Sequence, residues 1–210
     1  AQDVQEILVE NGRAVGVRVL DRRGPVVQER ILRAPVVISS AGAPVTFFNL
    51  LPTDGPVGQA TAGLRDVIRR IGTGTSAVTV YLGLRDDPRS IGVTGGNTWV
   101  SRDLDHDDLP GQSDALLSGT PRNAFVSFPS VKSGENHHTA EIISFVDADA
   151  FKAWRNTPRG NRGADYSALK RRIGNGLIDL AETAVPGLKD LIDYVEVSTP
   201  LTIEHYTSHP

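Results

Sequence analysis

The chain has 210 residues, 39% of them apolar, with 22 Lys and Arg against 25 Asp and Glu and no Cys or Met. A chain of this size can bury a sizeable core as one large or two small domains, and a net charge of −3 without a concentration of Lys or Arg argues against a nucleic-acid partner. The lack of Cys excludes disulfides and thiol catalysis, and no run approaches the roughly 18 apolar residues of a membrane span.

The first quarter carries the most specific signals. Asn11-Gly12 separates two alternating apolar runs, and both central residues of a type I′ hairpin turn need positive φ. A second reversal at Arg22-Arg23-Gly24-Pro25 predicts a third strand over residues 26–32. Val36-Val37-Ile38 is continuously apolar and reads as a strand buried on both faces, ending in Ser39-Ser40-Ala41-Gly42. Small residues there either let a ligand approach bare backbone or simply permit a tight strand-to-helix turn. A short helix over residues 45–51, closed by Pro52, leads into a polar linker that marks a boundary near Gly55.

Leu64, Val67, Ile68 and Ile71 form the stripe of an amphipathic helix that Gly72 ends. Residues 75–84 alternate and are rich in β-branched side chains, so they predict a strand, and 97–101 another. Residues 102–121 are acidic and turn-rich, with Asp103, Asp105, Asp107 and Asp108 around His106. An EF-hand loop starting at Asp103 would need Gly and Glu where Asp108 and Asp114 stand, so no metal is expected. Strands over 123–128 and 139–147 follow, joined by a polar tip holding His137-His138, whose side chains point to opposite faces of an extended segment. A helical turn over 148–154 and a Gly/Arg-rich link over 157–163 precede the longest helix, 164–184. Tyr166, Leu169, Ile173, Leu177, Leu180 and Ala184 line its apolar face, and Gly174 and Gly176 imply close packing against a sheet. Residues 190–198 and 202–206 read as strands split by Pro200.

Two short motifs fail on context. Gly72-Thr73-Gly74-Thr75-Ser76-Ala77 has the letters of a dinucleotide fingerprint, but a helix precedes it and a strand follows, the reverse of what phosphate binding needs. Ser167 and Lys170 fit the S-x-x-K of penicillin-binding enzymes, yet Lys132-Ser133-Gly134 stands before them rather than after. The pattern as a whole gives an α+β fold with a mixed, largely antiparallel sheet flanked by helices.

The order strand, Asn-Gly turn, "AVGVRV", Gly turn, strand, "APVVISSAGAPVTFFNLLP" resembles the flavoprotein superfamily of phytoene desaturases, carotenoid isomerases, retinol saturases and amine oxidases, above all its phytoene dehydrogenase and retinol saturase branch. Gly96 to Trp99, Phe145-Val146-Asp147, Pro200-Leu201-Thr202 and His205 to Pro210 are similar to that branch too. The resemblance implies FAD as cofactor and an internal fragment of a longer enzyme, inactive alone. Residues 1–55 would be the β-meander and return strand of a partial, Rossmann-like FAD-binding domain, 56–203 a substrate domain, and 204–210 the start of the return to the FAD domain. It places Val4 and Ser39, Ser40, Ala41 and Gly42 along the adenosine and His209 near the flavin, with catalytic residues outside the chain. The implied chemistry is hydride exchange between flavin and a carbon–carbon bond of an apolar polyene or isoprenoid. Phe47, Phe48, Trp99, Phe125, Phe128, Phe145 and Trp154 are candidate tunnel walls. Location in the cytoplasm or in peripheral contact with a membrane is expected. A flavin amine oxidase and a non-catalytic ligand-binding or interaction domain are the alternatives.

Overall fold

A computed structural model describes residues 2–72, 74–105 and 107–207. The described residues divide into two compact units, 2–72 with Thr207, and 74–206. The fold is α+β: two antiparallel sheets of three and five strands with helices packed on them.

In the first unit, β1 (Gln2–Glu10), β2 (Arg13–Asp21) and β3 (Gln28–Arg33) form a meander in that order. Asn11 and Gly12 join the first two strands with φ of 50° and 74°, the left-handed pair that a type I′ turn demands. The second reversal is held by the Asp21 carboxylate, which accepts from the backbone N–H of Arg23 and from the guanidinium groups of Arg23 and Arg30 at 2.6–3.1 Å. Ile7, Val19 and Leu50 are its buried apolar residues. Leu50 closes a π-helical turn (Val45–Leu50), followed by α1 (Gly55–Ile71), which Gly72 terminates. Arg65 of α1 is only 4% exposed and donates to the carbonyls of Phe47, Pro52 and Thr53, tying the helix to that turn.

The expected buried strand at Val36-Val37-Ile38 does not form. The segment takes no regular secondary structure, with Val36 69% and Ile38 89% exposed. Its apolar side chains fit a strand only if neighbours supply ladder partners, and none among the described residues does.

In the second unit the strands β4 (Thr75–Leu84), β5 (Thr98–Ser101), β6 (Asn123–Ser127), β7 (His138–Asp147) and β8 (Ile192–Ser198) lie in the order β5-β6-β7-β4-β8. The helices are α2 (Leu109–Ser118), α3 (Pro129–Ser133), α4 (Ala164–Ala184), α5 (Leu188–Leu191) and α6 (Pro200–Thr207). Val78, Val80 and Leu82 of β4 and Ala140, Ile142 and Val146 of β7 point to one face of the sheet, where they bury with Leu116 of α2 and Ile173, Leu177 and Leu180 of α4. The two interior glycines of α4 are explained by contact: a Cβ on Gly174 would meet Val197 of β8, and one on Gly176 would meet the Gly119 carbonyl and Pro121.

Two elements differ from expectation. Within the acidic stretch, residues 109–118 are helical: the Asp108 carboxylate accepts from the Gly111 N–H at 3.0 Å as N-cap, and Gly119 closes the helix at φ 87°. Residues 202–206 belong to a helix rather than a strand, because Pro200 begins it and the Thr202 hydroxyl accepts from the Thr199 N–H at 3.2 Å, half of a capping box. No helix among the described residues is long and apolar enough to cross a membrane.

Candidate functional site

Strand alternation puts the second set of side chains on the opposite face of the five-stranded sheet, away from the core. Register aligns Trp99 with Phe125, Phe125 with Ile143, and Ile143 with Thr79, while Phe145 stands opposite Ala77. The Trp99 and Phe125 rings meet edge-on at 5.0 Å between centroids, and Trp99 stacks on Phe145 at 6.5 Å. Trp99 is nonetheless 66% exposed, and Phe145 and Tyr81 are exposed by 45% and 43%. An aromatic cluster left open on a rigid sheet is a surface for a flat apolar ligand.

The next row of that face is polar: Ser127, Glu141, Tyr81 and Glu196 lie side by side across β6, β7, β4 and β8. Lys132 of α3 donates to Ser127 Oγ at 2.8 Å and to Asn97 Oδ1. The face therefore grades from aromatic to hydrogen-bonding along the strands.

Of the expected tunnel walls, Trp99, Phe125 and Phe145 come together here. Phe128 is 2% exposed in the core, and Trp154 packs against it beside Tyr166. Phe47 and Phe48 lie in the π-helical turn of the first unit, with Arg69 5.0 Å above the Phe48 ring. Tyr81 and Ile143 were absent from that set; reading outward positions along β4 and β7 would have found both.

The nucleotide-side candidates all fall in the first unit. Val4 is 41% exposed on β1, which among the described residues is an edge strand paired only to β2, opposite Val19. Ser39, Ser40 and Ala41 are exposed; Ser39 Oγ is 2.6 Å from Thr46 Oγ1, and the Gly42 carbonyl accepts from the Thr46 N–H at 3.0 Å with Gly42 at φ 81°. His209 lies outside the described residues. The Gly72–Ala77 string opens β4, not a helix.

The acidic cluster is organised around a guanidinium. Arg122 bonds Asp103 at 2.7 Å and Asp108 at 2.8 Å, with Asp105 at 3.9 Å. The Gly111 N–H first, and then Arg122, hold the Asp108 carboxyl below its ordinary range. His137 pairs with Glu135 at 2.6 Å, and among the described residues no three His, Asp or Glu side chains are arranged to hold a metal. Ser167 Oγ donates to the Gly163 carbonyl at 3.2 Å, which accounts for its hydroxyl hydrogen.

No family model matches the chain. It is 28% identical to an all-trans-retinol 13,14-reductase of Danio rerio, over 99% of this chain and 35% of that protein. An all-trans-retinol 13,14-reductase of Rattus norvegicus is 27% identical over 97% of the chain and 34% of its own length. An inactive all-trans-retinol 13,14-reductase of Danio rerio is 25% identical over 82% of the chain. The chain thus spans about a third of the length of these curated relatives, and the matched stretch includes both the meander and the five-stranded sheet.

Proposed function

We propose that the second unit is the substrate side of an oxidoreductase acting on a carbon–carbon double bond of a retinoid-like polyene, and that the open aromatic face carries the polyene. The observation that supports this best is the convergence of Trp99, Phe125 and Phe145 on one exposed sheet face, in a chain whose relatives are named for a retinol reductase. A polyene is flat, apolar and poor in hydrogen-bonding groups, so burial and ring contact must supply most of its affinity. Covering about 100 Å² of apolar surface contributes about 2.5 kcal/mol. Strands rather than loops hold the rings, which keeps a bound polyene in one orientation. The polar row of Ser127, Glu141 and Tyr81 suits a terminal hydroxyl.

FAD is the cofactor this reading implies. Ser39, Ser40, Ala41 and Gly42 fit its adenosine end, since their side chains are small or absent and the first three are exposed. Val4, on the free edge of β1, would lie along the same group. When bound, the flavin would supply hydride transfer to or from carbon. Residues of the second unit would bind and orient the polyene and exclude water from the reacting bond.

The test uses the longer, FAD-loaded protein that contains this segment. Trp99→Ala and Phe145→Ala are expected to raise KM for all-trans-retinol about tenfold while kcat changes little, because the lost contacts act alike on bound substrate and transition state. A KM unchanged in both variants would contradict the reading. Polyene binding without turnover is a second reading, supported by the relative named inactive; saturable retinol binding with no product would select it.

A further inference from the structure

A cleft of about 610 Å³ opens in the second unit between the 157–163 link, the first turns of α4, and β8. Three cations line it, Arg159, Arg162 and Lys170, against one carboxylate, Glu196. We propose that this cleft binds a phosphate monoester group, independently of the aromatic face and of any redox chemistry.

The cations are placed rather than merely present. Arg162 lies 5.3 Å above the Tyr166 ring, and that ring is fixed because the buried hydroxyls of Tyr166 and Thr199 share a hydrogen bond at 2.7 Å. Arg162 Nε is shielded from solvent and has no hydrogen-bond partner among the described residues. An unmet donor shielded from water, here on a half-buried side chain, is costly unless a ligand meets it. Arg159, an exposed residue, lies 4.7 Å from the centroid of the exposed Tyr206 ring and donates to its hydroxyl. Lys170 is partly buried, and its ammonium pKa lies below the ordinary lysine value: burial is the main cause, and Arg162 and Arg159 add to the fall against the opposing Glu196. Glu196 is engaged by the Tyr194 hydroxyl at 3.0 Å. Among the described residues no carboxylate forms an ion pair with Arg159, Arg162 or Lys170, whereas Arg18, Arg23, Arg30 and Arg122 all carry one.

Ligand class follows from charge and size. Three cations facing one carboxylate leave an excess that a phosphate monoester, at roughly −1.5 to −2 near neutral pH, matches. Two guanidinium groups present planar donor pairs suited to phosphate oxygens. The volume falls within the ~300–1,000 Å³ of small-molecule sites and leaves room for an organic group on the phosphate. That group comes either from a soluble ester or from a phospholipid headgroup.

Nuclear magnetic resonance titration of the 210-residue chain tests the proposal, with inorganic phosphate as one probe and vesicles of phosphatidylcholine with and without phosphatidic acid as the other. Phosphate is expected to shift backbone signals of residues 159–170 saturably. Arg162→Gln and Lys170→Gln should each weaken binding about tenfold or more, while Arg70→Gln, which does not line the cleft, changes nothing. Arg162→Lys, which keeps the charge but not Nε, should fall between. Vesicle binding that needs phosphatidic acid and shows the same variant pattern, without response to free phosphate, assigns the group to a lipid headgroup. Binding to neither probe, or binding that Arg162→Gln leaves unchanged, overturns the proposal.

Discussion

Asp21 shows how one carboxylate can set a turn. It is 8% exposed and collects Arg23, Arg30 and the Arg23 N–H, so its pKa is strongly lowered, chiefly by the Arg23 side chain and backbone. A folded-state pKa below the unfolded one contributes stability that is fully present above the ordinary Asp value of about 3.9 and is lost as pH falls below it. Wild type should therefore lose urea resistance between about pH 4 and pH 2 more steeply than Asp21→Asn. A wild-type-to-variant difference that stays flat over that range would show that the contacts of Asp21 do not act through its charge. At this scale the sequence was readable where backbone chemistry decides: Asn11-Gly12 required positive φ and has it. It was silent on Arg65, because nothing local marks an arginine that will be buried on three carbonyls.

Among elements, α4 was legible from its apolar spacing and from its glycines. Gly176 faces the Gly119 carbonyl, so a methyl group there must push the α2–β6 connection away from the helix. Gly176→Ala gains about 1 kcal/mol of helix propensity but costs about 1–3 kcal/mol in overpacking. Net destabilisation of up to about 2 kcal/mol is expected, read as a Tm a few degrees lower. A Tm equal to or above wild type would mean that the connection yields freely. Other elements were misread for a common reason: apolar, β-branched composition does not reveal which partner is beside a segment. Val36-Val37-Ile38 has the composition of a buried strand but leaves Val36 and Ile38 exposed, while the run after Pro200 was assigned a strand although Pro at the first position and Thr202 three residues after Thr199 are helix-start signals. Asp108, Pro110 and Gly119 likewise framed α2 inside a stretch whose acidity suggested a solvated helical turn or loop.

Across the whole molecule, the α+β class and the antiparallel sheet followed from alternation and hairpin chemistry, whereas the sheet order β5-β6-β7-β4-β8 did not, since it depends on contacts far apart in sequence. The same holds for the aromatic face: Trp99, Phe125 and Phe145 sit on three different strands, and only the register brings their rings together. The cationic cleft, built from a link, a helix and an edge strand, had no signature in any one segment. The account's central claim is that the aromatic face binds a polyene, and Trp99 can report on it directly. The chain has two tryptophans, so Trp154→Phe leaves Trp99 as the sole indole emitter. Titration of that variant with all-trans-retinol should quench Trp99 fluorescence saturably, and adding Phe125→Ser and Phe145→Ser should weaken the apparent affinity about tenfold or more; quenching that never saturates, or that is indifferent to both phenylalanines, would contradict the account.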